Sequence, residues 1–306
     1  MSLYGLIQRP GPSGFGYNST AEEVTRGLDL TGKVFLITGS NSGIGSEAAR
    51  VLAMRGARII ACARSEEKAK QACHGLPNDP LPLACELSEP SSVRSAVRAV
   101  LDQPLGLDGI IANAGIMALP ERSVKHGLEL QFLTNHIGHF ILVTGLLEKL
   151  TPTARVVVLS SAAHHHTYPE GLRLDDLDAS GGYVAWSAYA QSKLANLLFA
   201  KELANRLPEA TQTANSVHPG VIATNLARHM SSWVRFTLHK LAPTVASKTI
   251  AQGAATQTYV ATHPTLANVS GEYFADCNVE KPSRFGRDSE LAKKLWAKSE
   301  ELVAKL

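Results

Sequence analysis

Tyr189 and Lys193 are the two residues of this chain whose types and spacing most directly suggest chemistry. They lie four apart in "SAYAQSKLANLLFAKELANRL", where Leu194, Leu197, Leu198 and Leu203 continue a helical pattern, so both fall on one helix face. A phenol with a pKa near 10 is a poor acid or base at neutral pH, and moving it three units costs about 4 kcal/mol. An ammonium about 4 Å away supplies about that much at an effective dielectric of 20. The chemistry expected is proton transfer to or from an oxygen, with the lysine holding the charge. The pair alone equally describes a helix surface. Its companions give it weight. Ser160 and Ser161 end the apolar run 155–160, at the strand end where open α/β sheets put reactive groups, and the Ser161 hydroxyl is placed to bond a reacting oxygen. Asn135 is polar within the apolar stretch "FLTNHIGHF", either as a site amide or as a bridge between backbone groups.

A second constellation suits a phosphate. The first apolar run leads into Gly39, Ser40, Asn41, Ser42, Gly43, Ile44 and Gly45, and then into a helical pattern. Glycines at these positions let the backbone turn sharply and approach a pyrophosphate at the helix N-terminus, where unpaired N–H groups point outward. Gly45 would let helix and strand pack closely. The spacing is G-x-x-x-G-x-G, and three glycines alone also fit an ordinary tight turn. Beyond the second run stand Ala63 and Arg64. A carboxylate there would hold a ribose 2′-hydroxyl; Ala63 offers none, whereas the Arg64 fork suits a 2′-phosphate, worth on the order of 1.5–3 kcal/mol. Arg64 as a solvated surface residue is the alternative. The cofactor expected is NADP(H).

Positioning these groups requires a sheet. Apolar runs at 34–38, 58–62, 81–85, 109–112, 155–160, 213–217 and 271–274 alternate with helical patterns near 43–55, 65–74, 90–102, 123–150, 187–206, 246–262 and 288–304. Runs such as "ARVVVLSS" are apolar throughout rather than alternating, as in strands covered on both faces. The fold predicted is a single α/β, Rossmann-type, doubly wound parallel sheet of about seven strands with helices on both faces. Residues 31–306 form that domain, and residues 1–30 are a loosely structured N-terminal extension with a short helix near Thr20.

At this point the motifs assemble. T-G-x-x-x-G-I-G, N-A-G at Asn113, Ala114 and Gly115, N-H-x-G-H-F from Asn135, S-S, Y-x-x-x-K and H-P-G at His218, Pro219 and Gly220 occur in order. The chain resembles the short-chain dehydrogenase/reductase family from about residue 31 onward, and within it the retinol dehydrogenase-like branch. The resemblance implies a catalytic set of Asn135, Ser161, Tyr189 and Lys193, with Tyr189 as acid/base, Lys193 also binding ribose, and Asn135 holding a relay water. It implies cofactor contacts from the glycine turn, Arg64, Glu86, Leu87, Asn113, Ala114, Gly115, Pro219, Gly220, Val221 and Thr224. Two departures touch the adenine side: Glu86 stands where an aspartate is usual, and Ala112 replaces the first Asn of N-N-A-G.

The substrate side is less defined. His164, Tyr168 and Trp233 are candidate substrate contacts, and residues 227–241 suggest a C-terminal lid over an apolar pocket, with a membrane-surface helix or a packed core helix as alternatives. Three consecutive histidines, 164–166, without a further ligand at suitable spacing do not suggest a metal. The substrate class implied is a lipophilic carbonyl or alcohol. A non-catalytic NADP(H)-sensing protein is the other reading, and four matched catalytic positions weigh against it.

Composition bounds the rest. A formal charge of +3 without a basic block argues against a nucleic-acid partner, and Cys62, Cys73, Cys85 and Cys277 form no C-x-x-C pair and are expected as free thiols. No run of about 18 apolar residues suggests a spanning helix, and no secretory signal is visible. The compartment expected is the cytoplasm, with peripheral membrane contact and a homodimer left open.

Overall fold

The computed structural model describes residue 5 and residues 7–222 and 247–306. Strands β1 (Val34–Thr38), β2 (Arg58–Ala63), β3 (Leu81–Ala84), β4 (Leu107–Ala112), β5 (Leu150–Leu159), β6 (Thr213–His218), β7 (Tyr273–Ala275) and β8 (Asn278–Val279) form one sheet in the order β8-β7-β6-β5-β4-β1-β2-β3. Every adjacent pair is parallel except β7–β8. The order reverses between β1 and β4, and that switch point opens a crevice beyond the strand ends. The eighth strand is a two-residue antiparallel edge beyond the seven predicted.

The sheet has two cores, and strand alternation feeds both. Val34, Leu36, Ile60, Ile110, Val156 and Val158 point to one face, covered by α3 (Pro90–Leu101), α4 (Gly138–Thr144), α5 (Ala185–Ala204) and α7 (Ser289–Val303). Phe35, Ile37, Ile59, Ile111 and Val157 point to the other, covered by α1 (Gly43–Met54) and α6 (Ala255–Thr262). A further helix, α2 (Glu66–Cys73), follows β2, and Ser65 caps it by accepting from Lys68 N–H. Burying both faces is why the central strands carry consecutive apolar residues, each such large side chain contributing roughly 1.5–3 kcal/mol. α7 docks on its own domain through Leu295 and Trp296, whose ring stacks on Phe199 and meets Phe140 edge-on.

Two stretches depart from expectation. The helix expected over 123–150 is broken: Val124–Lys125 and Leu128–Glu129 form a hairpin, turned by His126 and Gly127 at positive φ. Helix starts only at Leu130, where the Glu129 carboxylate caps Phe132 N–H, and it passes through a π-helical turn, Leu133–Ile137, into α4. The pattern expected over 246–262 is divided at Ala254, with Ile250–Gly253 capped by a Thr249–Gln252 box ahead of α6.

The N-terminal segment is ordered where it is described. Thr20 and Glu23 form a capping box on Ala21–Val24. Phe15 packs edge-on against Tyr259, and Asn278 bonds Ser13 N–H and the Phe15 carbonyl. These contacts tie the segment to the β7–β8 edge, so it is better packed than its proline- and glycine-rich sequence suggests. The lid expected at 227–241, including Trp233, and Thr224 lie outside the described residues. Among the described residues no helix is long and apolar enough to cross a membrane.

Candidate active site

A cleft of about 730 Å³ runs along the carboxyl ends of β1, β2, β4, β5 and β6. Its lining includes Gly39, Asn41, Ser42, Gly43, Ile44, Arg64, Glu86, Leu87, Asn113, Ala114, Gly115, Ser161, Tyr189, Lys193, Pro219, Gly220 and Val221. Seventeen sequence positions spread from 39 to 221 therefore meet in one space.

The glycine turn is shaped by near contacts. Gly39 has φ +69, and a Cβ there would lie 3.1 Å from Ala114 Cα. A Cβ on Gly45 would lie 2.4 Å from Asn113 Nδ2 and 2.5 Å from the Gly39 carbonyl oxygen, so Gly45 is a packing position below the cleft. Ser40 also turns away, its hydroxyl donating to the Cys62 carbonyl at 3.2 Å. Ser42 starts α1 without capping it by side chain, which leaves the first-turn N–H groups directed at the cleft. Asn113 donates to the Thr38 carbonyl, while its Oδ1 is buried without a protein partner.

Thr38 organises the floor. Its Oγ1 accepts the N–H groups of Asn113 and Ala114, each at 2.9 Å, and donates to His139 Nε2 at 2.9 Å. The opposite ring nitrogen of His139 donates to the Asn135 carbonyl at 2.9 Å. That assignment requires a neutral ring, and burial lowers the His139 pKa to about 4.

Asn135 sits on the π-helical turn, fully buried, and does not line the cleft. Its Oδ1 accepts Ile116 N–H at 2.8 Å; its Nδ2 donates to the Ile116 carbonyl and to Ser192 Oγ, each at 2.9 Å. One side-chain amide thus satisfies both backbone groups of Ile116. Asn135 thereby fixes the Gly115–Ile116 wall against α5.

Tyr189 and Lys193 share one face of α5, and Lys193 Nζ lies 5.8 Å from the Tyr189 ring centre. Tyr189 and the Ser161 hydroxyl line the same stretch of the cleft. Burial pushes the phenol up to about 12, with the nearby Ser161 hydroxyl opposing, and burial lowers Lys193 to about 8. These side chains alone do not bring the phenol down. Lys193 donates to the Leu159 carbonyl at 3.0 Å, and Ser160 Oγ donates to the Lys193 carbonyl at 2.7 Å, locking helix to strand end.

Two expected substrate contacts are corrected. The chain past Ser161 folds into a short 3-10 turn, Ala162–His166, which tucks His164 underneath, fully buried with both ring nitrogens bonded. Tyr168 is buried beneath the Arg173 guanidinium, 3.7 Å from its ring centre. Neither reaches the cleft; His166 does. Lys68, Met117, Trp186 and His218 also line it and were missed from sequence. For Trp186 a signal existed: it precedes Tyr189 by three, hence on the same helix face, and the rings meet at 6.2 Å. Among the described residues no group of three or more His, Cys, Asp or Glu is arranged to hold a metal.

This assembly invites comparison with known proteins. The family model for short chain dehydrogenase matches residues 33–172. A Brassica napus protein named short-chain dehydrogenase TIC 32 A, chloroplastic, is 44% identical, with 100% of both chains covered. The chain belongs to the short-chain dehydrogenase family. Human retinol dehydrogenase 14 is 36% identical over 93% of this chain and 91% of its own, which places the chain in the retinol dehydrogenase-like branch. A crystal structure of an uncharacterised Mycobacterium paratuberculosis protein superposes with a TM-score of 0.75 at 33% identity, covering 94% of this chain and 98% of the other. The family is one of oxidoreductases that use nicotinamide cofactors on small molecules.

Proposed function

We propose that this protein is an NADP(H)-dependent oxidoreductase that interconverts a lipophilic carbonyl and its alcohol, with Tyr189 transferring the proton. The observation carrying this reading is that Ser161, Tyr189 and Lys193, the last two one turn apart, line the same cleft as the uncapped N-terminus of α1.

The cleft suits a dinucleotide along its length. The first-turn N–H groups of α1 would hold the diphosphate, Asn113 Oδ1 supplies an acceptor for a ribose hydroxyl, and Pro219, Gly220 and Val221 bound the far end. Arg64 is exposed at the rim with Lys68 beside it, and Arg64 forms no ion pair among the described residues. Two cations at this rim favour a 2′-phosphate over a bare ribose. This supports NADP over NAD.

When bound, the nicotinamide supplies hydride chemistry and, oxidised, a positive charge beside the phenol. The chain's own groups handle the oxygen. In the reducing direction Ser161 would hold the carbonyl oxygen while the Tyr189 hydroxyl gives it a proton; in the oxidising direction Tyr189 would take that proton back. Lys193, charged below about pH 8, stabilises the phenolate left behind. Trp186, Met117 and Ile222 give the open end an apolar wall, which supports a lipophilic substrate.

The test is nicotinamide absorbance with decanal, retinal and a panel of ketones, each with NADPH and with NADH. Turnover favouring NADPH and lipophilic carbonyls is expected. Equal use of both cofactors would refute the NADP assignment, and no turnover with any carbonyl would refute the enzyme reading.

A further inference from the structure

The peptide joining Ser161 to Ala162 is held from both sides by histidine rings. The Ser161 carbonyl accepts from His164 Nδ1 at 2.6 Å, and Ala162 N–H donates to His218 Nδ1 at 3.2 Å. The two rings come from different places: His164 from the turn after β5, His218 from the end of β6.

Their protonation follows from their partners. His164 Nε2 accepts Ser283 N–H at 3.0 Å, and an amide only donates, so the proton is on Nδ1, facing the carbonyl. His218 must present a bare Nδ1 to Ala162 N–H, so its proton is on Nε2. Opposite tautomers thus grip opposite ends of one peptide. Tyr273 fixes the His164 ring edge-on at 5.1 Å, and Ser283 anchors it to the loop before α7.

That peptide sets the Ser161 hydroxyl. Ser161 Oγ already accepts Ala163 N–H at 3.1 Å, so its proton is left for Tyr189 or for a reacting oxygen. Rotation of the peptide would swing this hydroxyl away. We propose that His164 and His218 form a clamp on the Ser161–Ala162 peptide and act as positioning residues for Ser161, with the loop at Ser283 as the clamp's anchor. The clamp holds at neutral pH, because burial keeps both rings neutral with pKa values near 4. The groups facing them are His165 and His166 at His164, and Asp276, Lys248, His164 and His165 at His218.

The inference rests on the oxidoreductase reading, and its test separates the two. The full-length protein is assayed with NADPH and decanal. His164→Leu should lower kcat on the order of tenfold while the NADPH Kd stays within about twofold. His164→Asn, which keeps a donor at the Nδ1 position, should recover most of that loss. In a Ser161→Ala background, His164→Leu should cost less than about twofold more, since the residue it positions is gone. His218→Asn, which keeps the acceptor, should likewise exceed His218→Leu in kcat. Losses from His164→Leu and Ser161→Ala that multiply, or asparagine variants no better than leucine ones, would overturn the clamp while leaving the enzyme reading intact. A wild-type protein that reduces no carbonyl would remove both.

Discussion

The Lys193 ammonium and the Leu159 carbonyl oxygen are 3.0 Å apart, and the Asn196 side-chain amide donates to that same oxygen at 2.9 Å. The last residue of β5 thereby fixes the position of a buried cation on α5. Burial brings its pKa to about 8, so the charge that would attract an anionic cofactor fades just above neutrality. The kcat/KM for the cofactor, which reports groups of the free enzyme, should therefore fall above about pH 8. Lys193→Arg, permanently charged, should remove that alkaline limb. A profile flat to high pH in the wild type would contradict this role.

Arg64 should discriminate between cofactors. Replacing it by alanine is expected to weaken NADPH binding at least about tenfold and to leave NADH almost untouched. Lys68→Ala should have a smaller effect of the same kind, because an ammonium lacks the bidentate fork. Fluorescence titration at fixed ionic strength measures both. Parallel losses for the two cofactors would mean that neither side chain meets a 2′-phosphate.

Gly45 is tested by a single methyl group. Its Cβ would fall 2.4 Å from Asn113 Nδ2, a contact that requires backbone movement in the glycine turn. Gly45→Ala should cost about 1–3 kcal/mol in a denaturant melt and weaken both cofactors alike. Unchanged stability and binding would show that the turn is looser than its contacts imply.

Acid should destabilise the fold early. Burial lowers His136 to about 3 and His139, His164 and His218 to about 4, against an ordinary 6.5. Between those values the unfolded chain binds protons that the folded one refuses, so their contribution is full above pH 6.5 and is lost as pH falls toward 4. Urea denaturation should show a loss of at least about 3 kcal/mol across that window, since each tenfold difference in proton affinity between the two states is worth about 1.4 kcal/mol. A stability flat from pH 6.5 to 4 would mean that these rings are hydrated.

The parts of the molecule legible in the sequence were those that repeat a local rule. Strands β1, β4 and β5 feed two cores through the apolar runs 34–37, 109–112 and 156–159, which made the parallel sheet readable from residue type. The cleft residues of the glycine turn and of Ser161, Tyr189 and Lys193 were readable because short motifs carry them. What escaped depends on contacts between distant segments. His164 reads as a substrate contact in the sequence, whereas Ser283, more than a hundred positions away, takes up its second nitrogen. The break before Leu130 was hidden because His126 and Gly127 turn a hairpin inside a stretch with helical periodicity. Lys68 stands beside Arg64 only because the capped start of α2 folds back over the end of β2.

The central claim is that the Tyr189 hydroxyl moves the proton. Single-turnover hydride transfer from NADPH to decanal, compared between wild type and Tyr189→Phe, measures this directly, with cofactor affinity as the control. The rate should drop on the order of a thousandfold in the variant while NADPH still binds within about twofold of wild type. A variant that transfers hydride at the wild-type rate would contradict the account.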